Sequence, residues 1–135
     1  MNIQVELSKI IIDEKRQDQV IVLKEKGGDR QFPIVIGFLE ASSIKMKLSG
    51  VDVPRPMTHD LLVNVISTLG GKLRKLIIDQ LVENTFHAKL EVVKDDGSVI
   101  MIDSRPSDGI ALAVRTGADI YVAEEVLKKT TFMKQ

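Results

Sequence analysis

Apolar positions recur at every second residue near the start of the chain, which is the pattern of strands with one buried face. This alternation and the apolar runs after it predict strands over about residues 3–13, 19–25 and 31–36, with a glycine-rich turn between the last two. Pro33 has no backbone N–H to donate to a neighbouring strand. We therefore expect an antiparallel meander in which Pro33 lies on an edge strand or faces outward.

The rest of the chain changes to helical spacing and then returns to strands. Apolar residues three and four positions apart predict helices, and glycines mark where they stop. The predicted helices cover about residues 38–48, 61–69, 107–116 and 124–129, and the predicted strands about 73–82, 86–94, 98–103 and 120–122. This order predicts an α+β fold with two mostly antiparallel three-stranded meanders and three to four helices packed on them. We expect one domain over residues 1–130 and a frayed tail over 131–135.

Length and composition fit a single globular domain. A chain of 135 residues can bury a core, and 44% apolar with 28% charged residues is ordinary for this class. Cysteine is absent, which excludes disulfides and thiol catalysis and fits a reducing cytoplasm. The first residues lack the basic and then apolar build of a signal peptide, and no apolar run approaches the roughly 18 residues of a membrane helix. These features predict a cytoplasmic protein with no membrane partner.

Charge and aromatic content restrict the kinds of nucleic-acid binding to expect. Lys plus Arg and Asp plus Glu each number 19, so the formal net charge is zero. This balance argues against a strong nonspecific binder, whose affinity comes from many cation–phosphate contacts. Four Phe, one Tyr and no Trp make an aromatic stacking platform unexpected. A local basic patch stays open, and Lys72, Arg74 and Lys75 form the most basic short segment.

Two segments of the chain share one design. Arg55-Pro56-Met57-Thr58-His59-Asp60 and Arg105-Pro106-Ser107-Asp108-Gly109 each place Arg-Pro before a hydroxyl and a carboxylate, and each leads into an apolar helical stretch. Arginine, hydroxyl and carboxylate groups are thereby gathered twice at a helix start. If the protein has a polar site, these segments are where we expect it.

Helix capping accounts for part of this design. Pro106 suits a first helical turn, where its missing N–H costs nothing. Thr58 is suited to be the N-cap of its helix, and Ser107 and Asp108 can accept hydrogen bonds from free N–H groups. Capping requires neither of the two arginines and gives His59 no role. The capping interpretation and a functional one therefore both stay open for these segments.

His59 is the residue that capping leaves over. The helix dipole disfavours positive charge at an N-terminus, so a neutral imidazole is expected, which can act as a base, bind a metal or serve as a structural hydrogen-bonding group. The other histidine, His87, lies in a predicted strand and is interpreted as structural. Glu40 in the first turn of the first helix would join the site if the three helix starts converge. The sequence contains no His-x-x-x-His or other metal-binding motif.

The same segments resemble a known family, the bifunctional nuclease domain. The chain resembles the bacterial single-domain form of this family, and the resemblance covers about residues 3–128. It is carried by residues 36–37, 40–41, 55–62, 85–88, 102–115, 118–122 and 124–127. Where the family commonly has Ala, this chain has Gly109. The resemblance implies a compact α+β domain, usually dimeric, and a nuclease activity toward RNA and single-stranded DNA that is attributed to plant members.

The resemblance and the doubled Arg-Pro segments together predict a phosphodiesterase. His59 would be the base, and Asp60 and Asp108 would orient the reacting groups or hold a divalent cation. The side chains expected to bind phosphate are those of Arg55, Thr58, Arg105 and Ser107. Free N–H groups at the helix starts would add to this anion site.

The alternative hypothesis is a non-catalytic dimeric module that binds a small anion or a protein partner. Unpaired strand edges in two meanders predict a homodimer, because an edge must be covered. One observation separates the two hypotheses. Arg55 and Arg105 lining one open pocket with His59 favours the enzyme, and burial of both in ion pairs favours the module.

Overall fold

The computed structural model describes residues 1–130 and 133–134 of the chain. The helices are α1 (Phe38–Leu48), α2 (Thr58–Thr68), α3 (Pro106–Thr116) and α4 (Glu124–Thr130), and the strands are β1 (Asn2–Ile11), β2 (Asp18–Glu25), β3 (Arg30–Gly37), β4 (Gly71–Val82), β5 (Thr85–Lys94), β6 (Val99–Ser104), β7 (Asp119–Ala123) and β8 (Met133–Lys134). Each predicted helix and strand is found within a few residues of its predicted span, and the α+β class is confirmed. Of the tail predicted to fray, residues 131, 132 and 135 lie outside the described residues.

All strands belong to one sheet, in the order β6-β5-β4-β7-β1-β2-β3-β8. The two predicted meanders, β1–β3 and β4–β6, form its two halves. Strand β7 lies between them, antiparallel to β1 and parallel to β4. The sequence did not predict this connection, because pairing between distant strands leaves no local signal. β7 therefore makes one sheet of two separate meanders.

The sheet is strongly curved around its core. The rings of Phe32 on β3 and Phe86 on β5 are 5.7 Å apart between centroids, although four strands separate β3 from β5 in the sheet. Twist that accumulates across many strands brings distant edges together in this way. Ile78 and Leu127 are fully buried in the same core. The concave face is therefore the inner face, and the helices close it.

Strand β3 lies close to an edge, as Pro33 predicted. Pro33 pairs with Val22 of β2 on one side. On the other side, among the described residues, Arg30 and Gln31 of β3 pair with β8.

Helix α3 is the central helix, with α1 and α2 packed against it. Seven of its residues are buried, among them Gly109, where an added Cβ would be in hard contact with the buried Leu76 side chain. Helix α2 differs, because Leu61, Leu62 and Val65 on its apolar face are 54%, 40% and 43% exposed. The spacing of these residues predicted the helix correctly, but most of its apolar face is not used in the core. None of the described helices is both long and apolar enough to cross a membrane.

Candidate functional site

The starts of α1, α2 and α3 converge on one polar cluster. Arg105, at the start of α3, donates to Asp108 one turn later and reaches Glu40 in the first turn of α1. Asp108 in turn contacts His59 of α2. The conditional expectation that Glu40 would join the other helix starts is therefore met. We call Glu40, Ser43, His59, Asp60, Arg105, Asp108 and Arg115 the helix-start network.

His59 is at the centre of the network and is held from both sides. Its Nε2 atom lies 2.9 Å from Asp108 Oδ1, and its Nδ1 atom lies 2.7 Å from Ser43 Oγ. A carboxylate can only accept, so in the neutral ring the hydrogen is on Nε2. Nδ1 then has a lone pair that accepts from the Ser43 hydroxyl. The side chain of His59 is only 9% exposed, so these two bonds fix its tautomer and orientation.

Arg105 is the exposed cation of the network. Its Nε donates to Asp108 Oδ2 at 2.8 Å, and Nη2 lies 3.3 Å from Glu40 Oε2. The side chain remains 65% exposed, so each of these pairs contributes only about 0–1 kcal/mol to stability. Its Nη1 has no partner among the described residues. Part of the guanidinium is thus free to bind an anion from solvent.

Arg115, near the end of α3, is the buried cation of the network, and no local sequence pattern predicted it. Its side chain is 7% exposed. Nε donates to Asp60 Oδ1 at 2.7 Å, Nη1 donates to the carbonyl oxygen of Ala111 at 2.9 Å, and Nη2 donates to Ser43 Oγ at 3.0 Å. Arg115 therefore ties all three helices together. It is also the arginine that pairs with Asp60.

The acidic groups of the network are held in their charged forms. Burial raises the pKa of the Asp108 carboxyl, but hydrogen bonds from Arg105 and His59 outweigh it and leave that pKa below its usual value. The hydrogen bond from Arg115, with that from the Met57 N–H, lowers the pKa of Asp60. Both carboxylates are therefore ionised near neutral pH and can orient a proton-transferring group.

A groove opens at one end of the network. It has a volume of about 810 Å³, with apolar walls from α2, α3, β5 and β6 and a polar end formed by Asp103, Ser104, Arg105 and Asp108. We call it the α2–β6 groove. His59 is not among the described residues that line it, because Asp108 lies between His59 and the groove. Access to the network from this side is therefore through Arg105 and Asp108.

The predicted phosphate-binding residues are brought together only in part. Arg105 lies in the network, but Arg55 is in the connector between α1 and α2, is exposed, and makes no ion pair or hydrogen bond with any part of the chain that the structure describes. Thr58 is exposed and Ser107 is buried, and no side-chain hydrogen bond is made by either within the described ranges. The two arginines therefore neither line one pocket together nor share burial in ion pairs.

The capping interpretation is correct for Pro106 and wrong for Thr58 and Ser107. Thr58 is the first residue of α2, and its N-cap is Met57, whose N–H donates to Asp60 Oδ2 at 2.9 Å. The N-cap of α3 is Arg105, without a side-chain capping bond, and Pro106 occupies the first turn as predicted. Asp108 uses its two oxygens for His59 and Arg105 instead of the helix start. Capping thus does not explain Asp108.

The donor set does not resemble a preformed metal centre. Across residues 1–130 and 133–134, no three His, Asp or Glu side chains are grouped so that they could hold one ion. Asp108 and His59 bind each other, and Asp60 is paired with Arg115. A divalent cation at Asp60 and Asp108 stays a prediction that the cleavage assay below tests.

Spacing could have identified the two network residues that the sequence did not predict, Ser43 and Arg115. Asp108 and Arg115 are seven residues apart on α3, which is about two turns, so they lie on one face of the helix. Glu40 and Ser43 are three residues apart on α1 and are likewise neighbours. Such spacing alone does not say which partner from another helix completes the contact.

Comparison with known proteins points to one family. The family model described as the bifunctional nuclease domain matches residues 21–135. An uncharacterised protein of Mycobacterium tuberculosis is 40% identical over 124 residues, which are 92% of this chain and 73% of that protein.

Plant relatives carry the nuclease name but are longer. Bifunctional nuclease 1 of Oryza sativa is 29% identical over 111 residues, covering 78% of this chain and 33% of the rice protein. Bifunctional nuclease 2 of Arabidopsis thaliana is 28% identical over 105 residues, covering 76% of this chain and 32% of its own length. The extent of the family match and the M. tuberculosis relative show that this chain belongs to the bifunctional nuclease domain family.

Proposed function

We propose that this protein cleaves phosphodiester bonds in RNA and single-stranded DNA, with the helix-start network as its active site. The observation that carries the proposal is the continuous contact from exposed Arg105 through Asp108 to His59, at the open end of the α2–β6 groove. The names of the plant relatives support the same activity. We also propose a cytoplasmic location, which a sequence without cysteine fits.

The proposed roles follow from charge and hydrogen bonding. The free Nη1 of Arg105 binds a phosphate oxygen and stabilises negative charge as it develops. Asp108 holds the His59 ring in the tautomer whose Nδ1 can take a proton, and so makes His59 the base. Asp60 acts through Arg115 as a positioning residue. Arg55, Thr58 and Ser107 stay proposed phosphate contacts that substrate binding would have to bring closer.

The test is cleavage of labelled RNA and single-stranded DNA by the purified protein. His59→Ala and Arg105→Ala should each lower the rate by about 100-fold or more. The matched controls are His87→Ala on β5 and Arg74→Ala on β4. Arg74 is a comparable exposed arginine, 54% exposed and paired with Glu91 at 2.7 Å, and its loss should leave the rate unchanged. Unchanged activity in both site variants would reject this active site.

The same assay tests the proposed divalent cation. Cleavage is measured before and after treatment with EDTA and after re-addition of Mg²⁺. Loss and recovery of activity would support an ion at Asp60 and Asp108. Activity that persists in EDTA would assign the chemistry to protein side chains alone.

A second candidate function is the non-catalytic binding module, and one observation favours it. The network has three carboxylates, on Glu40, Asp60 and Asp108, against the two guanidiniums of Arg105 and Arg115, so its charge does not attract anions strongly. On this proposal the ion pairs fix the packing of three helices. Arg115→Ala would then lower stability, while Arg105→Ala would change neither stability nor any cleavage rate.

We further propose that the protein is a homodimer that pairs through β6. Among the residues that the structure describes, this strand is an edge of the sheet and pairs only with β5, which leaves N–H and C=O groups on its other side available. Its residues Val99, Ile100, Met101 and Ile102 are 48%, 43%, 47% and 39% exposed. An antiparallel pair of β6 strands about a two-fold axis would satisfy both edges and cover these side chains.

The dimer is tested by size-exclusion chromatography with light scattering at micromolar concentration. Met101→Lys should shift the protein toward the monomer mass, because a charge then lies in the paired edge. Val35→Lys is the matched control, since Val35 is 62% exposed on β3 at the other end of the sheet. A wild-type monomer would contradict the proposal.

A further inference from the structure

Ser43 is a member of the helix-start network to which the proposed function gives no role. It lies on α1, is partly exposed, and places its Oγ 2.7 Å from Nδ1 of His59. Its neighbour Ser42 is also partly exposed but has no side-chain hydrogen bond with the described part of the chain. A serine hydroxyl within hydrogen-bond reach of a histidine that is itself oriented by a carboxylate is the arrangement of an activated nucleophile.

The direction of each hydrogen bond follows from the chemistry of the groups. Asp108 accepts from Nε2–H of His59, which leaves the lone pair of the neutral ring on Nδ1. The Ser43 hydroxyl therefore donates its hydrogen to Nδ1. Its oxygen accepts from Nη2 of Arg115 at 3.0 Å. Each of the three hydrogen bonds therefore has one donor and one acceptor. Ser43 is thus positioned to lose its proton to His59.

Arg115 provides charge stabilisation at the same oxygen. Its side chain is buried and is fixed by Asp60 and by the carbonyl of Ala111, so it cannot move away when charge develops on Ser43 Oγ. A buried guanidinium favours the alkoxide over the neutral hydroxyl. Arg115 also forms part of the wall of a second cavity of about 380 Å³ that includes Lys72. The serine, its base and a cation therefore meet at one place.

We propose that Ser43 is a catalytic nucleophile that attacks phosphorus in a phosphodiester, with His59 as its base. The Ser43 Oγ–P bond forms while the P–O bond to the leaving nucleoside breaks. The hydroxyl proton passes to Nδ1 of His59 and then to the leaving oxygen. Water next attacks the phosphorus of the phosphoserine and gives a proton to Nδ1 of His59. As the Ser43 Oγ–P bond breaks, His59 returns that proton to Ser43 Oγ, so that a terminal phosphate is released and both the serine and the neutral histidine are restored. This inference deepens the proposed function and rests on it for the identity of the substrate.

A serine nucleophile changes the expected substrate range. Cleavage by a 2′-hydroxyl of the substrate is restricted to RNA, whereas an attacking serine does not need that group. RNA in which every 2′-hydroxyl is replaced by hydrogen should therefore be cleaved by the same Ser43-dependent route. Products with a 2′,3′-cyclic phosphate would show attack by the 2′-hydroxyl and would overturn the inference.

The direct test uses a fluorophosphonate probe, which forms a covalent bond with an activated serine as fluoride leaves. Wild-type protein should be labelled on Ser43, as located by mass spectrometry of its peptides. Ser43→Ala should abolish the label and lower nuclease activity by more than about 1,000-fold. Ser42→Ala is the matched control and should label and cleave like the wild type. Asp108→Asn should slow labelling by about 100-fold, because His59 loses the tautomer that accepts the proton.

The outcomes separate this inference from the proposed function. A label on Ser43 without cleavage of any nucleic acid would support the nucleophile and reject the nuclease. Ser43 would be rejected as the nucleophile, with the nuclease proposal intact, by either of two results. One is nuclease activity that survives in Ser43→Ala, and the other is wild-type protein that cleaves nucleic acid but is not labelled on Ser43. The location of the label in wild-type protein shows whether Ser43 is the nucleophile even if Ser43→Ala does not fold.

Discussion

The two Arg-Pro segments, so similar in sequence, end in different surroundings. In the segment before α3, Arg105 contacts the acid of its own segment, Asp108, and also reaches Glu40 on α1. In the segment before α2, Arg55 is exposed and unpaired within the described residues, and Asp60 is paired instead with Arg115 from α3. Asp108 and Asp60 are both paired with an arginine, but only Asp108 is paired with the arginine of its own segment.

Their position in the fold explains the difference. Helix α3 is buried at the centre of the helical layer, so its start lies against the starts of α1 and α2. Helix α2 lies at the outside, with His59 as its only buried residue. Arg105, at the start of the central helix, is therefore surrounded by carboxylates, whereas Arg55, before the outer helix, is exposed to solvent. Similar local sequence therefore fixes the local helix start but not the contacts of the charged side chain.

The largest expected effect is on stability when the buried arginine is removed. Arg115→Ala should lower the free energy of unfolding by about 3 kcal/mol, at the low end for buried ion pairs because Asp60 remains partly exposed. Arg55→Ala should change it by less than about 0.5 kcal/mol, as expected for an isolated surface residue. Urea unfolding followed by circular dichroism measures both. Equal losses in the two variants would contradict the expected difference between a buried and an exposed arginine.

The next effect is on activity and compares the two acids. Asp108→Asn should lower the RNA cleavage rate by about 100-fold, because the amide no longer holds His59 in its reactive tautomer. Asp60→Asn should lower the rate less, since it acts only through Arg115. Initial rates at saturating RNA measure the difference. The order would be contradicted by a greater loss in Asp60→Asn.

A smaller effect on the free energy of unfolding is expected at Gly109 and Leu61, the residues that follow Asp108 and Asp60. Gly109→Ala places a Cβ in hard contact with the fully buried Leu76, and overpacking costs about 1–3 kcal/mol. The gain in helix propensity, about 0.5–1 kcal/mol, offsets only part of this cost. We expect a net loss of about 1 kcal/mol in urea unfolding. In the other segment, Leu61→Ala should have little effect, since Leu61 is 54% exposed.

The smallest effect is on acid stability. The folded pKa of Asp60 lies below its ordinary value of 3.8, so the unfolded chain binds a proton more readily than the folded one. This contribution is fully present above about pH 5 and is lost as the pH falls through 3.8 and then through the lowered folded pKa. Asp60→Asn should therefore be less sensitive to acid below pH 3.8 than the wild type, as read from thermal midpoints across pH. An unchanged acid profile would show that Asp60 contributes nothing to it.

The sequence predicted the elements of the fold well because their signals are local. Alternation gave the strands, three- and four-residue spacing gave the helices, and the two segments 55–60 and 105–109 were correctly identified as helix starts. Local patterns also placed Pro33 near an edge. The insertion of β7 between the meanders was not predicted, because that pairing joins residues far apart in the chain.

The site was predicted only in part, for the same reason. His59, Asp60, Arg105 and Asp108 were chosen because their own segments combine charge with a helix start. Ser43 and Arg115 carry no such local pattern, and their part in the network depends on how α1 and α3 pack. Arg55 lies outside the network because it is in the connector before α2, an outer helix of the fold, and its phosphate-binding role stays a prediction.

The strands, the helices, the family resemblance and the place where charged groups concentrate can be read from the sequence, since each depends on neighbouring residues. Which charges meet depends on how the helices pack. An arginine side chain can reach any carboxylate within several ångströms, and burial decides whether that contact persists or is lost to water. Arg115 and Asp60 are brought together by the packing of α2 on α3, across 55 residues of chain.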